Sequence, residues 1–236
     1  MGVEVRPSLR PRQGRRFEPT HELAVVASAR RCAAGLPGAH RGLLLVGELA
    51  GPQGIPDLTA IVGPPEPLQR RLASGVPPLL NELDAGVAAA ASATVPRSVE
   101  ALAKELGWPP AVVAARMTGL LRAGAISEPS PGRYRRDPAL GPIGRIYAIE
   151  AKVRDGGAAL RQVRAYTTWA DAYVIVTGAM GETARSRLEP EVHRDGGGLV
   201  VAGRWRQRPR LRPTSRARRL RSAEHIVAAL DPAMVG

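Results

Sequence analysis

Three fragments of this 236-residue chain bring together residue types that can act on a phosphate ester. Pro56-Asp57 follows a Gly- and Pro-rich turn, Glu150-Ala151-Lys152 ends the apolar run RIYAIEAKV, and Gln162 and Tyr166 fall four positions apart in RQVRAYTTWA. Residues two apart on a strand share a face, so Glu150 and Lys152 point the same way while Ile149, Ala151 and Val153 fill the other. With Asp57 on the neighbouring strand, two carboxylates and an ammonium converge. Two hard oxygen ligands with room for water suit Mg²⁺ (or Mn²⁺), which keeps part of its own hydration shell. A metal there polarises a phosphodiester and helps to deprotonate water, while Lys152 orients that water or stabilises developing charge. Gln162 and Tyr166, at i and i+4 of a helix, face the same spot.

Each fragment also has a plainer explanation. Asp57 after a proline is a common turn residue, and Glu150 with Lys152 would serve as an ion pair on an exposed strand. Glu48 is a second acid close to Asp57 in sequence. Against an exposed ion pair, Ile149, Ala151 and Val153 fill the opposite face, and a strand before a core helix is seldom so exposed. The chain has only two lysines, Lys104 and Lys152, among 34 basic residues, a count that chance or a need for a compact ammonium explains and that only directs attention to Lys152. The four histidines are scattered without zinc-like spacing, and no nucleophile elbow, phosphate-binding loop or dinucleotide fingerprint occurs.

Composition narrows the partners. Apolar residues form 44% and charged residues 23% of the chain, ordinary for a globular protein. A net charge of +13 points to a polyanion, nucleic acid above all, with binding that weakens steeply in salt. Aromatics at 3% are too few for single-strand binding by base stacking. The lone Cys32 excludes an internal disulfide framework and a multi-thiolate zinc site. No apolar stretch reaches the roughly 18 residues that span a bilayer, and no signal-peptide core follows the basic N-terminus, so no membrane partner and a cytoplasmic location are expected.

The elements that must position these residues fall into five stretches. Residues 1–19 read as a basic, partly disordered arm. Residues 20–70 supply a helix (THELAVVASARRCAAG, Thr20 as N-cap) and two strands (LLLVGELA and LTAIVG), the second carrying Asp57. Residues 71–138 switch to three helices, at VPPLLNELDAGVAAAASA, RSVEALAKELG and PPAVVAARMTGLLRAG, followed by short arms around a Ser-Pro-Gly turn. Residues 139–203 return to alternating strands and a helix, so the first and third stretches form one discontinuous α/β core. Residues 204–236 hold an Arg-rich run, expected to lie along phosphates or stay loose, and a short closing helix capped by Ser222.

Two resemblances follow from these residues. Three helices and a basic hairpin over residues 71–138 resemble the winged helix-turn-helix family. That resemblance places Arg116, Arg122, Arg133, Arg135 and Arg136 near DNA, the second helix of the pair in the major groove and the wing on the backbone. The ordered set GIPDLTAIVG, IYAIEAKV and RQVRAYTTWADAYVIVT resembles the PD-(D/E)xK nucleases, whose restriction-endonuclease-like fold is a mixed β-sheet flanked by helices. Its Q-x-x-x-Y helix is similar to that of RecB-like members, and the iron–sulfur subgroup is excluded by the cysteine count. The resemblance implies that Asp57, Glu150 and Lys152 are catalytic, that Asp57 and Glu150 bind metal with Glu22 as an accessory ligand, and that Gln162 contacts substrate or the attacking water. Glu22 reads equally as a first-turn helix acid, and Gln162 as the polar edge of its helix. Asp57 and Glu150 lie much further apart than in the usual hairpin of these nucleases, and the winged-helix insertion accounts for the distance.

The combined expectation is a Mg²⁺-dependent DNA endonuclease that docks duplex DNA through a winged helix, acting in restriction, defence or repair. One site cuts one strand, so a double-strand break implies a homodimer or two encounters. The alternative is a non-catalytic winged-helix DNA-binding regulator, or a complex subunit, on a nuclease-like scaffold. RNA cleavage ranks third, because the A-form major groove is too narrow for a helix.

Overall fold

The apolar runs that alternate with turns and amphipathic stretches do form strands and helices in the computed structural model, which describes residues 4–7, 20–153 and 155–230. In chain order these are β1 (Glu4–Pro7), α1 (Thr20–Ala33), β2 (Leu43–Gly47), β3 (Leu58–Val62), α2 (Glu66–Ala73), α3 (Glu82–Ala90), α4 (Val99–Leu106) and α5 (Pro110–Arg122). The hairpin strands β4 (Ile126–Ser130) and β5 (Arg133–Arg136) follow, then β6 (Arg145–Lys152), α6 (Gly156–Tyr166), β7 (Ala172–Thr177), α7 (Glu182–Asp195), β8 (Gly198–Val201), β9 (Arg204–Gln207) and α8 (Arg216–Leu230). The chain divides into two units: one of residues 1–65, 144–213 and 229–236, the other of residues 66–143 and 214–228. Among the described residues, no helix is long and apolar enough to cross a membrane.

The first unit is mixed α/β. Its seven-stranded sheet runs β1-β2-β3-β6-β7-β8-β9, with β6 in the middle. β3 lies antiparallel to both β2 and β6, while β7 and β8 continue parallel to β6. The alternation along β6 assigns its faces. Tyr147, Ile149 and Ala151 join Val25, Ala29 and Ala33 of α1 in one apolar cluster, together with Leu58, Ala60 and Val62 of β3. Ile146, Ala148, Glu150 and Lys152 therefore point to the other face. There α6, the crossover between parallel β6 and β7, buries Leu160, Val163 and Tyr166.

The second unit packs helices around Val87, Leu102, Val113, Met117, Leu120 and Ile126. Asn81 caps α3 through bonds from the Leu83 and Asp84 amides, and Ser98 caps α4 through the Ala101 amide. β4 and β5 pair antiparallel from Ile126 opposite Arg136 to Ser130 opposite Arg133, and Arg97 bridges to Tyr134 beside them.

Several expectations are corrected here. Residues 4–7, within the arm read as partly disordered, pair parallel with β2; residues 1–3 and 8–19 of that arm lie outside the described residues. Asp57 stands one residue ahead of β3 rather than on it. Arg204–Gln207, part of the run expected to lie along phosphates or stay loose, pairs with β8 as an edge strand, so this part of it is not loose. Ser222 does not cap a short helix: α8 starts at Arg216, and the Ser222 hydroxyl donates to the Arg218 carbonyl inside it. Most of α8 belongs with the helical unit, because Leu220, Ala223, Ile226 and Val227 form a buried stripe at helical spacing that the arginines mask in the sequence.

Candidate active site

The site is assembled where β3 and β6 meet. Their antiparallel register sets Leu58 opposite Ile149, so one further step places Asp57 beside Glu150. The two carboxylates enter from adjacent strands, and both are buried: Asp57 is 8% and Glu150 1% exposed. Asp57 Oδ2 accepts the Ala151 N–H at 2.8 Å, which fixes the carboxylate against the strand that carries the other two residues. Lys152 Nζ lies 2.8 Å from Glu150 Oε1 and is 19% exposed, so the ammonium faces outward from a buried partner.

The other oxygen of Glu150 is met by a residue whose part in the site the sequence left open. The Tyr166 hydroxyl sits 3.0 Å from Glu150 Oε2 and 3.1 Å from the Ile55 carbonyl oxygen. Tyr166 thus links the acid to the loop that delivers Asp57. The same loop is held by Trp169, whose Nε1 donates to the Gln53 carbonyl at 2.9 Å, and by Thr168, whose hydroxyl bonds Gln53 Oε1 at 3.0 Å. Tyr166 and Trp169 pack edge to face, with ring centroids 6.1 Å apart. Two glycines let the loop settle on these rings. A Cβ at Gly51 would lie 2.6 Å from the Trp169 ring, and one at Gly54, where φ is +79°, would lie 2.7 Å from the Tyr166 ring. At the loop's base the Glu48 N–H donates to the Asp57 carbonyl at 3.2 Å, and Glu48 takes a left-handed φ of 46°. The sequence signal was limited to two of the eight aromatic residues standing three apart, at helical spacing.

The electrostatics of the pair are unbalanced. Burial pushes the Glu150 carboxyl above its ordinary range, and the neighbouring Asp57 charge pushes it further; Lys152 and the Tyr166 hydroxyl pull in the opposite direction without cancelling this. Three ionisable groups therefore share a largely buried corner.

Gln162 is half-buried on α6, one turn before Tyr166, and it is Tyr166 that bonds Glu150. Glu22 belongs to α1, but its side chain lies outside the described residues. Among the described residues no group of three or more His, Cys, Asp or Glu gathers as a metal site. What the corner offers is two adjacent carboxylates and a side open to solvent through Lys152. That donor set fits a Mg²⁺ ion that retains several waters. Nearby, at the C-terminal ends of β6 and β7, a cavity of about 540 Å³ opens between Val153, Asp155, Gly156, Leu160, Met180 and Arg187. Asp57, Glu150 and Lys152 do not line it.

In the second unit the five arginines separate by exposure. Arg122, Arg133 and Arg135 are exposed. Arg116 is half-buried, with Nε 3.9 Å from Asp84 Oδ1. Arg136 follows the inward phase of β5 and donates Nη1 to the Ala89 carbonyl at 3.4 Å, so it does not extend from the hairpin with Arg133 and Arg135.

Comparison of the chain with known protein families, with curated proteins and with solved structures gives no match.

Proposed function

We propose that this chain is a metal-dependent DNA endonuclease of restriction-endonuclease-like architecture, with a winged helix-turn-helix inserted between β3 and β6. The observation that carries the reading is the buried Asp57–Glu150 pair with Lys152 at its edge, supplied by two adjacent strands and an antiparallel register. Asp57 and Glu150 would hold the metal. When bound, a Mg²⁺ ion supplies Lewis-acid polarisation of the scissile phosphate and a more acidic water. Tyr166 fixes the rotamer of Glu150 through its hydroxyl, and Ala151 N–H does the same for Asp57. Lys152, the partly exposed cation, orients the attacking water and stabilises negative charge that builds on the phosphate oxygens. Hydrolysis exchanges one P–O ester bond for a P–OH, and the departing oxygen takes up a proton. The second unit, with α5 as recognition helix and β4–β5 as wing, supports duplex docking through Arg122, Arg133 and Arg135.

A second reading rests on one observation: both oxygens of Glu150 already have a partner, Lys152 on one and Tyr166 on the other. On that reading the corner is structural and the chain is a DNA-binding subunit. Incubation of supercoiled plasmid with the protein in Mg²⁺, Mn²⁺ or chelator separates the two. Nicked or linear product that requires the divalent ion supports the nuclease; salt-sensitive binding with no product on duplex, branched or single-stranded DNA supports the subunit.

A further inference from the structure

The second unit contains a pocket that the nuclease reading does not use. It lies at the base of the β4–β5 hairpin, has a volume of about 460 Å³, and is lined in part by Arg136, Arg216, Arg219, Thr94, Leu140 and Leu220. Arg136 ends β5 on its inward phase, and its backbone N–H donates to the Ser92 carbonyl at 3.0 Å. Its guanidinium is held by the Ala89 carbonyl on one side, while Nε is buried without a hydrogen-bond partner among the described residues. Burial holds this guanidinium below its usual range, and the like charge of Arg216, the first residue of α8, adds to the effect. Arg219 lies three residues further along the same helix. Among the described residues, no acidic side chain lines the pocket.

Cations gathered in a partly desolvated cavity repel one another and lose hydration, a cost that an anion would relieve. Guanidinium groups present planar forks that match phosphoryl oxygens two at a time. The floor of Leu140 and Leu220 gives an apolar wall, and the volume accommodates a phosphoryl group with a substituent up to about the size of a mononucleotide. We propose that this pocket binds a phosphoryl group, with Arg136 and Arg216 as the principal ligands and Arg219 closing a third side. The site stands apart from catalysis by Asp57, Glu150 and Lys152 and holds whether or not the chain cuts DNA. Two sources present the same chemistry, a backbone phosphate of nucleic acid and a small phosphorylated molecule.

Titration calorimetry of the full chain with pyrophosphate, at ionic strength held constant with chloride, tests the proposal. The expected result is saturable binding of one pyrophosphate per chain, weakened about tenfold or more in Arg216→Gln and in Arg136→Gln. Arg216 is exposed at the start of its helix, so its variant keeps the fold, as circular dichroism would verify, even if Arg136→Gln does not. Repeating the titration with a saturating short duplex assigns the source. Loss of pyrophosphate binding identifies a backbone phosphate as the occupant, and its persistence identifies a small phosphorylated molecule. Absence of saturable binding, or binding unchanged in Arg216→Gln, overturns the proposal.

Discussion

Both units of this molecule bury a glutamate against a cation, and they complete the pair in different ways. In the helical unit Arg71 donates Nε and Nη2 to the two oxygens of Glu224, at 2.8 and 2.5 Å. Its remaining donors reach Ser74 Oγ and the carbonyls of Val76 and Pro77, while Glu224 also accepts the Leu79 N–H at 2.9 Å. The charges balance, the fork is saturated, and α2, the segment between α2 and α3, and α8 are tied at one point. In the α/β unit Glu150 has Lys152 and Tyr166, but Asp57 adds a second negative charge beside it and the cation reaches towards solvent. A buried pair with every donor used serves structure, whereas a buried carboxylate whose titration is pushed up by burial and a neighbouring carboxylate is the kind of group on which the proposed chemistry would act.

The largest expected effects fall on the unbalanced pair. Lys152→Ala and Asp57→Asn should each lower Mg²⁺-dependent plasmid cleavage about a thousandfold, as followed by product formation on gels, with unchanged circular dichroism. Full activity in Asp57→Asn would dissolve the contrast between the two pairs. Arg71→Met should cost about 3–5 kcal/mol of stability, because it strands the buried Glu224 carboxylate, and Arg71→Met with Glu224→Leu should recover most of the loss. Hydrogen exchange should place that damage in the helical unit and spare β6.

Smaller effects sharpen the picture. Tyr166→Phe removes a hydrogen bond to a charged group, a loss of about 1.5–3 kcal/mol, or roughly ten- to a hundredfold in cleavage rate. Because that hydroxyl lowers the Glu150 titration, its removal should also shift the acid limb of the pH–rate profile to higher pH. Glu150 has a folded-state pKa above its unfolded one, so the folded chain retains a proton that the unfolded chain has lost. Its contribution to stability is therefore present at low pH and declines as pH rises from the ordinary carboxylate range through the raised value. Glu150→Gln should remove that decline and melt at a higher temperature than wild type near pH 8. Added Mg²⁺ should likewise stabilise wild type, more at pH 8 than at pH 5. The smallest effects belong to Arg122→Ala, Arg133→Ala and Arg135→Ala, each weakening duplex binding severalfold and reducing the salt slope by about one, as measured by fluorescence anisotropy.

Much of this was legible locally. The run RIYAIEAKV is apolar over residues 146–149 and ends in Glu150-Ala151-Lys152, so the strand and the shared face of Glu150 and Lys152 could be read directly, as could the three helices between residues 76 and 124 and the Ser-Pro-Gly turn after them. The parts that escaped depend on distant partners. Arg71 and Glu224 stand 153 positions apart and carry no local sign of their pairing. Helix α8 opens with arginines whose charge hides the stripe of Leu220, Ala223 and Val227. α2 and α7 are polar enough to read as connections. Tyr166 could be placed on the right helical face, but its bond to Glu150 and its hold on the Gly51–Gly54 loop require the tertiary fold.

The central claim is that Asp57, Glu150 and Lys152 form a working hydrolytic site. The most direct test compares wild type and Lys152→Ala in Mg²⁺ on one duplex substrate, recording cleavage and binding in the same samples. The account predicts that both proteins bind with equal affinity and only wild type produces cut strands. Equal cleavage by both proteins, or binding without cleavage by either, would contradict it.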